Sequence, residues 1–79
     1  MADRNPLEIA RQWHAGETGC GVLIMQLKRE ISKISAGQLL RVTALDDGAP
    51  EDLPAWCRLT GHAVVTADHP TYVLKKNGG

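Results

Sequence analysis

Past its first few residues, the chain alternates between two apolar rhythms, one of period two and one near three and a half. Ile24, Leu27, Ile31 and Ile34 recur at spacings of three and four, with Lys28, Arg29 and Lys33 largely on the opposite side. That is the signature of an amphipathic helix, and Gly37 stands just past the last periodic position as its natural stop. The next stretch, "LLRVTAL", sets Leu40, Val42 and Ala44 against Arg41 and Thr43 and predicts a half-buried strand. "DDGAPED" carries turn chemistry. Asp52 is placed to cap a short second helix with Pro54 in its first turn, running through Trp56 to about Thr60 and ended by Gly61. "HAVVTAD" and "TYVLKK" predict two further strands, and the short Asp68-His69-Pro70 link between them predicts an antiparallel hairpin.

The segment before the first helix carries two signals. Leu7, Ile9 and Trp13 fall on one side of an alternating strand, with Arg11 interrupting the series. Asn5-Pro6-Leu7-Glu8 reads equally as a helix start, with an Asn cap, Pro at the first position and Glu three residues after the cap. Periodicity leaves residues 7–12 open between strand and helix. The resulting order is strand, helix, strand, helix, strand, strand. Its economical packing is an α/β (α+β) two-layer sandwich: a four-stranded mixed sheet with two helices on one face, where every element hides its single apolar side.

Composition narrows the class further. Seventy-nine residues, 43% hydrophobic, are expected to form one domain, residues 1–79, with residues 1–6 disordered. Nine basic and nine acidic residues cancel, a balance that favours neither a nucleic-acid binder nor a membrane-surface protein. No apolar run reaches the length of a membrane span, and "MADRNPLEIA" lacks the order of a signal peptide. The expected location is the cytoplasm. Two cysteines are too few for a disulfide scaffold.

Those two cysteines have different settings. Cys20, in "GETGCGVLIM", stands between two glycines at the mouth of the first helix. Unpaired backbone N–H groups and the helix dipole favour a thiolate there, and they come from Gly21, Val22 and Leu23. The competing reading is a small apolar residue at the edge of the core. Cys57, beside Trp56 in mid-helix, has nothing to activate it and is expected to pack. No metal site is expected: the spacings of Cys20, Cys57, His14, His62 and His69 match no ligand pair. A Cys-His hydrolase would need a cleft and an oxyanion arrangement that are absent from the sequence. Lys28, Arg29 and Lys33 form a basic face, either solvated or used to dock an acidic partner, with Lys75 and Lys76 as a second basic group.

The string "EDLPAWCRLTGH", residues 51–62, resembles the TusA/SirA-like family of small sulfur carriers. Cys20, "RVTALDDGAPED" and "TYVLKK" fall where that family has its helix-start cysteine, its strand end and its closing hairpin, so the likeness spans about residues 13–76. The resemblance implies the β-α-β-α-β-β sandwich and turns "RQWHA" toward a strand. It implies that Cys20 takes sulfane sulfur as a persulfide and relays it to an acceptor protein. The donor would be a cysteine desulfurase or a rhodanese-like protein, and the acceptor would serve tRNA thiolation, cofactor sulfuration or sulfur oxidation. Such a chain is a sulfurtransferase-type persulfide carrier rather than a free-standing enzyme, needs no cofactor, and uses neither membrane nor direct nucleic-acid contact.

One departure is at the reactive stretch. The family's usual Cys-Pro-x-Pro reads Cys20-Gly21-Val22-Leu23 here, which leaves extra N–H groups and a less constrained helix start. Its strand-end Asp is replaced by His14, and the Gly three before the cysteine by Glu17. The alternative reading is an interaction or regulatory module that kept the fold and lost sulfur transfer with the prolines.

Overall fold

The structure is a computed structural model, described here for residues 9–16 and 20–77, with residue 20 described in its backbone alone. Its elements are β1 (Ile9–Gly16), α1 (Cys20–Ile31), β2 (Leu39–Ala44), α2 (Ala49–Thr60), β3 (Ala63–Asp68) and β4 (Thr71–Lys75). The strands form one mixed sheet in the order β1-β2-β4-β3, with β1 parallel to β2 and the other two pairings antiparallel. This is the expected sandwich.

The core lies between the helices and one face of the sheet. Leu40, Val42 and Ala44 of β2 and Tyr72 and Leu74 of β4 meet Leu23, Leu27 and Ile31 of α1 and Leu53, Trp56 and Cys57 of α2. Residues of one strand parity therefore supply the sheet's share, as the alternation in "LLRVTAL" requires.

Residues 9–12 are strand, which decides the described part of the open segment, whereas the expectations for residues 1–6, Leu7 and Glu8 lie outside the described residues. β1 also corrects the expected inward set. Its partners are Arg11↔Leu40 and Trp13↔Val42, whereas Ile9 lies opposite Leu39 across a bulge at Ala10. The bulge inserts one residue and turns Ile9 to the other face of the sheet. The helix-facing series is thus Arg11, Trp13, Ala15. Arg11 does not interrupt the pattern, because its Nε donates to Glu30 Oε1 of α1 at 2.6 Å. Its alkyl stem spans the sheet–helix seam and its charge is met at the rim.

α1 ends at Ile31, short of the expected stop at Gly37. Ile34 is still buried, reached through turns: Lys33 N–H donates to Glu30 O and Ile34 N–H to Ile31 O, each three residues back. Ser32 Oγ donates to the Arg29 carbonyl at 2.6 Å and Lys76 Nζ to the Ile34 carbonyl at 2.7 Å, which satisfies the loose end. Gly37 has φ 88, a left-handed conformation, where the chain swings into β2.

α2 begins earlier than expected and Asp52 does not cap it. Gly48 occupies the cap position and Pro50 the first turn. The Asp46 side chain accepts the Gly48 N–H at 2.9 Å and the Asp46 carbonyl the Ala49 N–H at 3.1 Å, so a turn at "DDG" launches the helix. Buried Ala49 adds a packing reason to start there. Pro54 consequently stands inside the helix, one turn after Pro50, whose carbonyl has no N–H to receive at that position. Gly61 closes α2 with φ 85, its N–H bonded to the Cys57 carbonyl.

Candidate functional site: the helix-start edge of the sheet

Chain direction gathers the loops of interest at one edge. α1 connects two parallel strands and so runs back against them. β3 is parallel to β2, since both are antiparallel to β4, so α2 also runs back. Both helices therefore start at the edge where β1 and β2 end. Two hydrogen bonds tie that edge together: Leu45 N–H to the Gly16 carbonyl and Ala44 N–H to the Pro70 carbonyl, each 2.8 Å. Gly16 is left-handed, φ 67, a conformation a side-chain-bearing residue rarely adopts. This glycine sets the exit of β1 toward α1.

Cys20 is the first residue of α1. Its side chain, and Glu17, lie outside the described residues. In a helix beginning there, the N–H groups of the first turn have no partner within the helix, and the dipole presents its positive end. Gly21 and Val22 stand exposed in that turn, whereas Leu23 is fully buried and anchors the helix start to the core. No acidic residue occupies the first turn of α1, in contrast to Glu51 and Asp52 in α2, so no carboxylate of its own neutralises that helix end. Lys28 and Arg29 occupy the last turn, where cations suit the dipole.

The other candidates separate. Lys28 and Arg29 are exposed, and Lys33 is held at 3.3 Å by Glu30 Oε2. The Lys76 ammonium is bonded to the Ile34 carbonyl, which leaves Lys75 as the exposed member of the C-terminal pair. Cys57 packs in the core, and burial pushes its thiol up to about 11, far from reactive at neutral pH. His14 is exposed on β1 opposite Thr43.

His62 and His69 each have local work. His62 Nδ1 accepts the Asn77 N–H at 3.1 Å and its ring lies 5.3 Å from that of Trp56. Burial, followed by the nearby Lys76 charge, lowers its pKa. Asn77 Nδ2 also donates to the Gly61 carbonyl, so the segment after β4 is pinned to the turn after α2. The Gly-His of the "PAWCRLTGH" string thus forms a clasp at the opposite edge from Cys20. His69 Nδ1 lies 2.5 Å from the Tyr72 hydroxyl, and burial raises the pKa of that phenol. No cluster of three or more His, Cys, Asp and Glu able to hold a metal occurs among the described residues. No helix among them is long and apolar enough to cross a membrane.

One surface feature escaped the sequence reading. Val22 and Met25, three apart on α1, are exposed beside the helix start, and Leu45 is exposed on the loop after β2. The signal was present, since both fall off the Leu23–Leu27–Ile31 stripe. Apolar residues there have no folding role to explain them.

Comparison of the sequence with known proteins finds relatives over most of the chain. The sequence model of the family described as "Sulfurtransferase TusA" matches residues 17–75. A Neisseria meningitidis serogroup A protein bearing the name of a sulfur carrier is 40% identical over 48 residues, which are 61% of this chain and 65% of that protein. "Putative sulfur carrier protein YrkI" of Bacillus subtilis is 34% identical over 56 residues, 71% of this chain and 75% of its own length. The chain thus matches somewhat under two thirds of the length of the Neisseria relative. From the helix-start cysteine to the closing hairpin, it belongs to the TusA family of sulfur carriers.

Proposed function

We propose that this protein carries sulfane sulfur as a persulfide on Cys20 and relays it between two partner proteins. The observation that carries the reading is the position of Cys20 as the first residue of α1, at an edge where the helix end is left uncompensated by acidic side chains of its own first turn. A thiolate at such a position gains from the free N–H groups of Gly21 and Val22 and from the dipole. In the loading step the Cys20 thiolate attacks the outer sulfur of a donor persulfide. A new S–S bond forms as the old one breaks, and the donor leaves as its thiolate. Unloading repeats this exchange with an acceptor thiolate attacking the outer sulfur on Cys20, so no external oxidant or reductant is consumed.

The exposed pair Val22 and Met25, followed along the same helix by Lys28 and Arg29, fits contact with such partners through an apolar patch rimmed by cations. The donor is a cysteine desulfurase or rhodanese-like protein, and the acceptor is a thiolation, cofactor-sulfuration or sulfur-oxidation protein. The setting is the cytoplasm, where an unpaired thiol persists. The pH profile of Cys20 alkylation in a Cys57→Ala background tests the thiolate. Half-maximal reactivity below the free-thiol value of about 8.5 supports it, and the profile of an unfolded peptide thiol contradicts it.

A further inference from the structure

The face of the sheet away from both helices has a concavity that the sulfur-carrying edge does not use. It is a groove of about 230 Å³ lined by Ile9, Leu39, Arg41, Val65, Thr66 and Val73. Leu39 and Val73 are only 3% and 8% exposed, yet neither belongs to the core cluster beneath the helices. The groove exists because both outer strands are bulged, β1 at Ala10 and β3 at Val65. Each bulge sharpens the local twist and brings one extra aliphatic residue, Ile9 or Val65, to the groove's rim. An ordinary solvent-facing sheet surface would carry polar residues at these places.

Among the described residues, the charged side chains nearest the groove are both basic. Arg41 lies between Gln12 and Val73 in register, and no carboxylate among the described residues pairs with it. Lys75, opposite Leu39, shares that face and is exposed. Among the described residues, the nearest acidic one in register on this face is Asp68, opposite Thr71 at its far end.

From this we infer that the back of the sheet is a second docking site, which takes an extended acidic-apolar segment of a partner protein. Aliphatic side chains at alternate positions fill the groove and a carboxylate two residues on meets Arg41 and Lys75. The volume is below that of the usual small-molecule site and suits one or two inserted aliphatic side chains. A second copy of the chain fits badly, because a twofold pairing of this face would bring like charges together. A nucleic acid fits badly too, since Trp13 and Tyr72 face the helices and leave the groove without a stacking surface. Occupation of this site leaves the Cys20 edge open, and the inference is independent of what Cys20 carries.

The test is an amide NMR titration of the full chain with the blocked peptide acetyl-Leu-Ser-Leu-Ser-Glu-amide and its Gln-terminated twin. Saturable shifts at Ile9, Leu39, Arg41, Val65, Thr66 and Val73 are expected, with the Glu peptide binding about fivefold more tightly, the size of one exposed charge pair. Arg41→Gln should erase that preference. Val65→Glu, at a half-exposed bulge that tolerates substitution, should abolish binding while leaving sulfur loading of Cys20 unchanged. The proposal is overturned by the absence of saturable shifts, by shifts confined to α1, or by a preference that survives Arg41→Gln. It is equally overturned if these amides respond to oligouridylate or to self-association and not to the peptide.

Discussion

The Arg11–Glu30 pair joins the edge strand to α1, and its removal should loosen the element that presents Cys20. Both carboxylate oxygens of Glu30 are engaged, Oε1 by Arg11 Nε at 2.6 Å and Oε2 by Lys33 Nζ at 3.3 Å. The Glu30 side chain is 13% exposed, whereas those of Arg11 and Lys33 are 39% and 44% exposed. Solvent reaches both cations and screens them, so each pair belongs in the range of about 0.2–1 kcal/mol. The short Arg11 bond to a sheltered acceptor belongs near the top, at about 1 kcal/mol, and the Lys33 contact near 0.3 kcal/mol. A double-mutant cycle over Arg11→Gln and Glu30→Gln, read by urea unfolding, should return a coupling of about 1 kcal/mol at neutral pH. In a domain of this size that corresponds to a fall in Tm of about 4–8 °C.

The pH dependence fixes the cause. The Arg11 hydrogen bond, opposed by burial, holds the Glu30 carboxyl below its usual value of 4.5. A depressed acid contributes stability that is complete above its unfolded pKa and lost as pH falls through the folded value. The coupling should therefore be full at neutral pH and shrink as pH falls below 4.5 and through the depressed folded value. A coupling below about 0.3 kcal/mol at neutral pH, or one that persists undiminished in acid, would refute the reasoning.

Three further outcomes follow from the same structure. Gly61→Ala places a side chain at φ 85 with nothing within 4 Å of the new Cβ. Its cost is conformational, about 1–2 kcal/mol in urea unfolding, and Gly61→Asn should cost clearly less. In a Cys20→Ser background Cys57, with its thiol pushed up to about 11 by burial, should resist thiol reagents near neutral pH until denaturant unfolds the chain, and prompt modification of that native variant would contradict its packing role. His62 is held below its usual 6.5 chiefly by burial, so the folded state favours the neutral ring. Stability should fall as pH drops from 6.5 through the folded value, and His62→Gln should flatten that slope in Tm measurements.

The parts of the fold that rest on period alone were legible. β2 shows the alternation of Leu40, Val42 and Ala44, and α1 the three-four spacing that buries Leu27 and Ile31. Ile24, however, is only partly buried, Leu23 takes the fully buried place beside it, and Ile34 is buried past the helix end. What sequence concealed was set by pairing and by turns. A bulge at Ala10 flips Ile9, and no local pattern reveals that, because the insertion is defined against β2. Arg11 reads as an interruption until Glu30, nineteen residues on, is seen to meet it. The start of α2 was misplaced because Asp46 and Asp52 are both plausible turn acceptors. Only the bond from Gly48 N–H to the Asp46 side chain decides between them. At the site, the helix start at Cys20 was legible from the glycines on either side of it and the apolar run that follows. The exposure of Val22 and Met25 follows once Leu23, rather than Ile24, is placed on the buried stripe of α1.

The central claim is sulfur carriage by Cys20, and intact-protein mass spectrometry after incubation with a persulfide donor tests it most directly. The account predicts that wild type and Cys57→Ala each gain one sulfur atom, that the gain maps to the peptide containing Cys20, and that a thiol reductant removes it. Cys20→Ser should gain nothing. A sulfur adduct that persists in Cys20→Ser, or a wild-type chain that takes up no sulfur, would contradict it.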